Sequence, residues 1–425
     1  MKRLTTLLFA MVLGSSIAWA GNPNPYSQNG NDRFSIKIQP FIGSYMTPNS
    51  SMRDMGVNGP TGINFGIEFP SSQQRPWQQY LGNPTVGLGL SYIDLGHHDM
   101  GTAIAMYPYI LINCVRSEHF NLKFKVGTGL AAVSEHFYTT QDAPVPNRTF
   151  STTLNAYLTP GLNAEFVINR NLTINSEFGF FHMSNGRSVE PNKGANVPYG
   201  GVGLIATFNP PAEEEREPIT FPELPYDWSL NVTVGGGVHA ADEDDPHRFA
   251  VSTLHINALY NTCNWHAIGL GADLFYNDAI GNPETVRNMY VTTEENWKRM
   301  RGGLSINNEF NFGAVSAIVN WGVYLFNPVR NLYNNDSPYY EIGERRPLFY
   351  KSEETGVEEQ FHYIQFGAKV RVFDNVSVQA IVKTHMHIAE FLEFGISYQI
   401  PYLNKNNRNG KKIFHYGKNW WEEYE

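Results

Sequence analysis

The chain is poor in cysteine and in charge, and after its N-terminus it lacks any long apolar run. Two cysteines in 425 residues exclude a disulfide-dense scaffold and a cysteine-based zinc cluster. Charged residues make up 17% of the chain, the net charge is −9, and there is no block of lysine and arginine, so nucleic-acid binding is not expected. No stretch beyond residue 20 approaches the roughly 18–20 continuous apolar residues that a membrane-spanning helix requires.

Residues 1–20 have the pattern of a secretory signal peptide. Lys2 and Arg3 precede a mostly apolar run over residues 4–17, and an Ala-x-Ala cleavage pattern ends at Ala20. We therefore predict an exported protein and exclude this segment from the fold. At this point both a soluble periplasmic protein and an outer-membrane β-barrel remain open.

What the chain has in abundance is aromatic residues, at 14%, and glycine, at 38 residues. Segments of about 9–13 residues alternate in polarity, as strands between lipid and a polar lumen do. The connections alternate between tight turns, such as residues 169–170, and long loops, such as residues 185–196, which is typical of outer-membrane barrels. The eight strands predicted in the first half span residues 33–43, 61–70, 84–95, 101–114, 119–133, 152–168, 171–184 and 197–208.

An acidic, proline-rich connector at residues 209–226 separates this set from a second one. The second set is predicted at residues 227–238, 248–262, 265–276, 300–311, 313–325, 359–372, 374–387 and 389–400. The domain division is a signal peptide at 1–20, a first barrel half at 21–208, the connector at 209–226, a second barrel half at 227–402 and a polar tail at 403–425. The predicted fold class is all-β: an antiparallel transmembrane β-barrel, either two eight-stranded barrels or one of about sixteen strands.

The predicted strand at residues 171–184 places two unusual side chains on its lipid side. Its even positions are mostly apolar and its odd positions more polar, so the even row faces lipid. His182 and Ser184 continue this even row at the end of the strand. If the mature N-terminus starts in the periplasm, this strand ends at the outer surface, and the pair lies at the outer rim facing lipid. Polar groups are costly there unless they are used.

The spacing of this pair suits ester hydrolysis. Residues two apart on a strand share a face, so the imidazole of His182 can take the proton of the Ser184 hydroxyl. Asn196, where the chain returns to the barrel, is the candidate for orienting His182, and Asn185 is the candidate for stabilising an oxyanion. A His-x-Ser pair alone is a weak signal, and a polar pair at a barrel rim is its structural alternative.

The stretch His182-Met183-Ser184-Asn185-Gly186-Arg187-Ser188, followed by Pro191-Asn192-Lys193-Gly194-Ala195-Asn196, resembles the lipid A 3-O-deacylase (PagL-like) or acyloxyacyl hydrolase family. These are eight-stranded outer-membrane barrels with a Ser-His-Glu triad. The resemblance implies Ser184 as nucleophile, His182 as base, and Asn185, with Gly186 and Asn192, at the oxyanion position. The sequence departs from the family at the acid, whose position falls on Asn196; Glu190, in the middle of the loop, is the alternative acid.

The same stretch is similar to outer-membrane phospholipase A, whose triad is Ser-His-Asn. Its motif matches residues 182–188, and its asparagine falls on Asn196. Calcium would be needed only under this second interpretation; otherwise no cofactor or metal is expected.

The predicted function is a carboxylic-ester hydrolase in the outer membrane of a Gram-negative bacterium. Its predicted substrate is lipid A, because lipopolysaccharide resides in the outer leaflet. The alternatives are outer-membrane phospholipase A and a non-catalytic porin-like or structural barrel. The expected partners are a membrane lipid as substrate and the outer-membrane assembly machinery, since the last predicted strand resembles a terminal-strand assembly signal, with Phe394 and Ile396 toward lipid and Glu393 inward.

Several other histidine and acidic residues could bind a metal ion, but their sequence context favours structural roles. His385 and His387 are predicted to line the lumen near Glu390 and Glu393, with hydrogen bonding favoured over metal binding. Residues 242–245, which are all acidic, lack the spacing of a calcium loop and are interpreted as a solvated loop. The pair His97-His98 is interpreted as a loop feature.

Overall fold

A computed structural model describes most of the two predicted strand sets. The described residues are 33–71, 78, 81–210, 226–240, 247–263, 265–280, 296–327, 361–385 and 388–403. The predicted signal peptide, most of the connector, the tail beyond Leu403, residues 242–245 and His387 lie outside the described residues. Within the described part, no helix is both long and apolar enough to cross a membrane.

The first half forms a closed barrel of eight antiparallel strands. They are β1 (Phe34–Gly43), β2 (Thr61–Pro70), β3 (Thr85–Asp94), β4 (Thr102–Arg116), β5 (Phe120–Val133), β6 (Leu154–Asn169), β7 (Leu172–Ser184) and β8 (Ala195–Phe208). Each strand pairs with the next, and β8 pairs with β1 to close the ring, which leaves no exposed sheet edge.

The second half forms a closed barrel of its own. Its strands are β9 (Tyr226–Ala240), β10 (Arg248–Cys263), β11 (His266–Asn277), β12 (Met300–Phe312), β13 (Val315–Phe326), β14 (His362–Phe373), β15 (Val376–His385) and β16 (Ile388–Leu403). Closure occurs between β16 and β9. Of the two predicted architectures, the structure therefore has two eight-stranded barrels. The last strand reaches Leu403, one residue beyond the predicted end of the second half.

Among the described residues, the connections contain one short α-helix and two 3₁₀ turns, which the strand pattern does not predict. The helix α1 (Ser50–Met55) lies between β1 and β2. The Asn49 side chain caps its N-terminus by accepting a hydrogen bond from the Met52 backbone N–H, and Gly56 ends it at φ 68°. Single 3₁₀ turns occur at Phe137–Thr139 and at Asn296–Arg299.

The strands alternate between an apolar outer face and a polar inner face, as the sequence predicts. In β7, Phe178 is 69% exposed on the outer face, whereas Glu177 is 2% exposed and points inward. In β16, Ile396 is exposed and Glu393 is buried. An apolar exterior of this kind is stable only against lipid, so each barrel presents a membrane-facing surface.

The interior of the first barrel is crossed by buried ion pairs. Glu177 lies between two lysines: Lys37 Nζ is 2.6 Å from its Oε2, and Lys125 Nζ contacts its Oε1. The hydroxyl of Tyr199 donates a hydrogen bond to the same carboxylate at 2.5 Å. Buried charges are tolerated when they are paired and hydrogen-bonded in this way. The side chains therefore fill the lumen at this level.

The interior of the second barrel also contains paired charges, at several levels. His255 lies between Asp273 and Glu393, with nitrogen–oxygen distances of 2.7 and 3.1 Å. Glu390 contacts both Arg301 and Lys383, and all three side chains are fully buried.

His385 belongs to this interior, as the sequence predicts. Its Nε2 lies 3.0 Å from the hydroxyl oxygen of Tyr324, and its Nδ1 lies 3.5 Å from Glu390 Oε2. The residue is thus part of a hydrogen-bonding network in the lumen.

Candidate active site

His182 lies between Ser184 and Asn196 at the end of β7. Its Nε2 is 2.8 Å from Ser184 Oγ, and its Nδ1 is 2.7 Å from Asn196 Oδ1. An amide oxygen only accepts hydrogen bonds, so Nδ1 carries the hydrogen and Nε2 is left to accept the serine proton. This is the tautomer that a general base for Ser184 needs.

The pairing of β7 with β8 produces this arrangement. His182 is directly opposite Asn196 in the antiparallel register, and Ser184 is two residues further along the same outer face. Directly opposed residues have Cβ atoms about 4.5–5.5 Å apart, which is within reach of a His–Asn hydrogen bond. The strand predicted at residues 197–208 begins two residues earlier, at Ala195, so Asn196 is part of the sheet.

Gly194 lies against the His182–Ser184 pair and was not singled out as a site residue by the sequence. Its φ of 66° is in the left-handed region, which favours glycine. A Cβ at this position would lie 3.3 Å from Ser184 Cβ and 3.4 Å from His182 Cε1. Glycine therefore lets the backbone pass close to the pair.

The residues predicted at the oxyanion position lie in the β7–β8 loop that follows Ser184. The backbone N–H of Asn185 donates a hydrogen bond to Asn192 Oδ1 at 3.3 Å, and the Asn185 side chain donates to Ser151 Oγ at 3.1 Å. Gly186 follows with φ 63° and turns the chain away from the strand. The structure thus brings Asn185 and Asn192 into contact, and Asn185 directly follows Ser184 in the chain.

Glu190, the alternative acid, has a different partner. Its carboxylate forms an ion pair with Arg187, with Oε1 2.9 Å from Nε. Both ring nitrogens of His182 are occupied by Asn196 and Ser184. Of the two candidates for orienting His182, Asn196 holds that position in this geometry.

A buried segment between β5 and β6 contacts the site, and no sequence pattern predicts it. Thr149 and Phe150 are fully buried and Ser151 nearly so. The backbone N–H groups of Lys193 and Gly194 donate to the carbonyls of Arg148 and Thr149, at 3.2 and 3.0 Å. The segment is polar and has no periodicity, so its sequence is that of an ordinary surface loop.

A possible metal-ligating group occurs in the β3–β4 connection. Among the described residues, the geometry brings together His97, His98 and Asp99, whose candidate ligand atoms lie within 4.8 Å of one another. The Asp99 backbone N–H already donates to His97 Nδ1 at 3.2 Å, and the two imidazole rings lie 4.2 Å apart. These contacts are internal to the loop and agree with its interpretation as a loop feature.

Comparisons with known proteins match each barrel separately. Residues 61–203 match the family Lipid A 3-O-deacylase (PagL), and residues 228–345 match the family Acyloxyacyl hydrolase, C-terminal domain. No curated protein matches the chain.

Similar solved structures include the outer membrane enzyme PagL, at 12% identity, covering 40% of this chain and 98% of that one with a TM-score of 0.25. Neisserial surface protein A (NspA) is 6% identical, with coverages of 42% and 96% and a TM-score of 0.25. The N-terminal β-barrel domain of Pseudomonas aeruginosa OprF is 15% identical, with coverages of 41% and 97% and a TM-score of 0.24.

Two closed antiparallel barrels with apolar exteriors define an outer-membrane β-barrel protein. The first barrel is similar to the lipid A 3-O-deacylase (PagL) family, and the second is similar to the C-terminal domain of acyloxyacyl hydrolase. The protein is located in the outer membrane of a Gram-negative bacterium.

Proposed function

We propose that this protein is a serine carboxylic-ester hydrolase that removes one acyl chain from lipid A. The observation that carries the proposal is the placement of His182 between Ser184 and Asn196, on the lipid-facing row of the barrel that matches the deacylase family. A nucleophile, a base and a group that orients the base are the parts that hydrolysis by acyl transfer requires.

In the proposed mechanism, Ser184 Oγ attacks the acyl carbonyl while His182 Nε2 takes its proton. His182 returns that proton to the leaving sugar oxygen, and the acyl group remains on Ser184. Water, deprotonated by His182, then attacks this ester, and His182 returns the proton to Ser184 Oγ as the fatty acid is released. Asn196 Oδ1 holds the Nδ1–H of His182 throughout, and Asn185 stabilises the oxyanion of each tetrahedral intermediate.

The surroundings of the pair favour a membrane lipid as substrate. On β6, Ala156 is directly opposite Ser184, and Leu158 is directly opposite His182. Both are small or apolar side chains on the outer face, at least partly exposed. An acyl chain can therefore lie along β6 while its ester reaches Ser184. With the N-terminus in the periplasm, this rim lies in the outer leaflet, which is why we propose lipid A as the substrate over phospholipid.

Analysis of both lipid classes by mass spectrometry tests the proposal. Detergent-solubilised protein is incubated with purified lipid A or with phospholipid, with and without EDTA. We expect lipid A to lose one acyl chain as free fatty acid, phospholipid to stay intact, and EDTA to have no effect, because we propose a mechanism without a metal cofactor. Lysophospholipid formed only when calcium is present would instead support the phospholipase A alternative and contradict ours.

The side chains inside the two barrels support the porin-like alternative less well than the hydrolase. Among the described residues, buried ion pairs cross the lumen of each barrel, at Glu177 in the first and at Glu390 in the second. A pore would require a water-filled path at these levels. We therefore favour hydrolysis over solute conduction.

We further propose that the second barrel is inserted in the membrane and that its last strand carries the signal read by the assembly machinery. Phe394 and Ile396 of β16 face outward, while Glu393 and Ser397 are buried inside. A fragment ending at Asn209 should therefore insert poorly although it keeps the candidate active site. Outer-membrane fractionation with a protease-protection assay measures this. Insertion and activity of the fragment equal to those of the full chain would contradict it.

A further inference from the structure

Ser151 is a buried serine outside the sequence motif that nonetheless contacts the site. It lies in the connection between β5 and β6 and is 3% exposed. Its Oγ accepts a hydrogen bond from Asn185 Nδ2 at 3.1 Å. Asn185 directly follows Ser184, the proposed nucleophile, so the Ser151 hydroxyl contacts the neighbour of the reacting serine.

The segment that carries Ser151 is fixed to two other connections of the first barrel. The Thr149 backbone N–H donates to Asn147 Oδ1 at 3.0 Å, and Asn147 Nδ2 donates to the Asp99 carbonyl at 3.1 Å. Asn49 Nδ2 donates to Thr149 Oγ1 at 3.0 Å. Asn147 and Thr149 are fully buried. The segment that carries the Ser151 hydroxyl is thus held by the β1–β2 and β3–β4 connections, in addition to its backbone contacts with the β7–β8 loop.

This contact orients the Asn185 carboxamide. The amide group is planar, so fixing one Nδ2 hydrogen on Ser151 fixes the direction of the other. The backbone N–H of Asn185 is held at the same time by Asn192 Oδ1. An oxyanion donor is effective only when it is oriented before charge develops.

We propose that Ser151 is a positioning residue that holds the Asn185 side chain in the orientation needed to stabilise the oxyanion. The proposal rests on the proposed function, because it assigns Ser151 a role in the same hydrolysis. Ser151 acts through Asn185 and does not touch the substrate. Its loss should therefore change the rate of the chemical step and leave substrate binding unchanged.

A double-mutant cycle tests this coupling in the full-length protein. Ser151→Ala should lower kcat about 10-fold with KM unchanged, whereas Asn185→Ala should lower kcat about 10²-fold. Adding Ser151→Ala to Asn185→Ala should cause no further loss. The matched control is Ser35→Ala, because Ser35 is also buried but its hydroxyl is hydrogen-bonded to Thr207 Oγ1, at the end of β8 that is remote from Asn196. This variant should keep the wild-type kcat.

All variants are compared as folded barrels, identified by their mobility in unboiled gels. An equal loss of kcat from Ser151→Ala in both backgrounds would overturn the proposal, as would a change confined to KM or no change at all. If the proposed function were wrong, the Ser184→Ala variant would keep its activity, which distinguishes that outcome from failure of the positioning role. A null result for Ser151 alongside an inactive Ser184→Ala protein rejects only the positioning role.

Discussion

Replacing Ser184 by alanine is expected to lower the deacylation rate by at least about 10³-fold and leave the barrel folded. The change removes the nucleophile and the hydrogen bond to His182 Nε2, but Ser184 is the last residue of β7, and alanine keeps its Cβ. His182→Ala should have a similar effect. The rate is measured as fatty acid released from lipid A. The matched control is Ser176→Ala, on the same outer row of β7, which should retain full activity.

Combining the two active-site changes sharpens this test. A nucleophile and its base act as a unit, so the His182→Ala, Ser184→Ala double variant should be no slower than the slower single variant. Activity of Ser184→Ala close to that of the wild type would show that another group attacks the ester. Activity lost equally in Ser176→Ala would show that the losses reflect the fold of β7 and not its chemistry.

Replacing Asn196 by alanine is expected to lower kcat by about 10²-fold or more. Without Asn196 Oδ1, nothing in this geometry holds the hydrogen on His182 Nδ1, so the ring can take the tautomer that cannot accept the serine proton. Asn196→Asp should keep most of the activity, because a carboxylate oxygen accepts the same hydrogen bond. Steady-state kinetics on lipid A measures both variants.

The Glu190→Gln variant tests whether Glu190, and not Asn196, orients His182. Its carboxylate pairs with Arg187, so the substitution should change kcat by less than about 3-fold. If Glu190→Gln were instead as slow as predicted for Asn196→Ala, and Asn196→Ala were active, Glu190 would be the acid. The β7–β8 loop would then have to rearrange when substrate binds.

The strands were predictable because the two faces of a membrane barrel have opposite requirements. An apolar row must meet lipid, and a polar row must be buried inside, so the period of two is strong along each segment. The segment predicted at residues 171–184 corresponds to β7 (Leu172–Ser184), and the outward position of His182 and Ser184 follows from the same alternation. The choice between one barrel and two depended on the pairing of β8 with β1, a contact between distant segments that periodicity does not encode.

The connections were not predictable in the same way. The helix α1 and the buried segment around Thr149 and Ser151 depend on individual hydrogen bonds, such as the cap from Asn49. Such bonds leave no repeating pattern in the sequence. The motif identified Asn185 and Asn192, but the residue that contacts the Asn185 side chain, Ser151, lies 34 positions earlier in the chain.

The ion pairs inside the first barrel also decide where a lipid tail can go. Lys37, Lys125 and Glu177 occupy the lumen at their level, so a fatty acyl chain that entered there would meet buried charges. In the proposed reaction the tail therefore stays in the bilayer, alongside the outer face of β6 and β7. An acyl chain that remains among other lipid tails does not have to fit a pocket of fixed length. Selectivity should therefore reside in which ester bond the rim admits, with tolerance for acyl chains of different lengths.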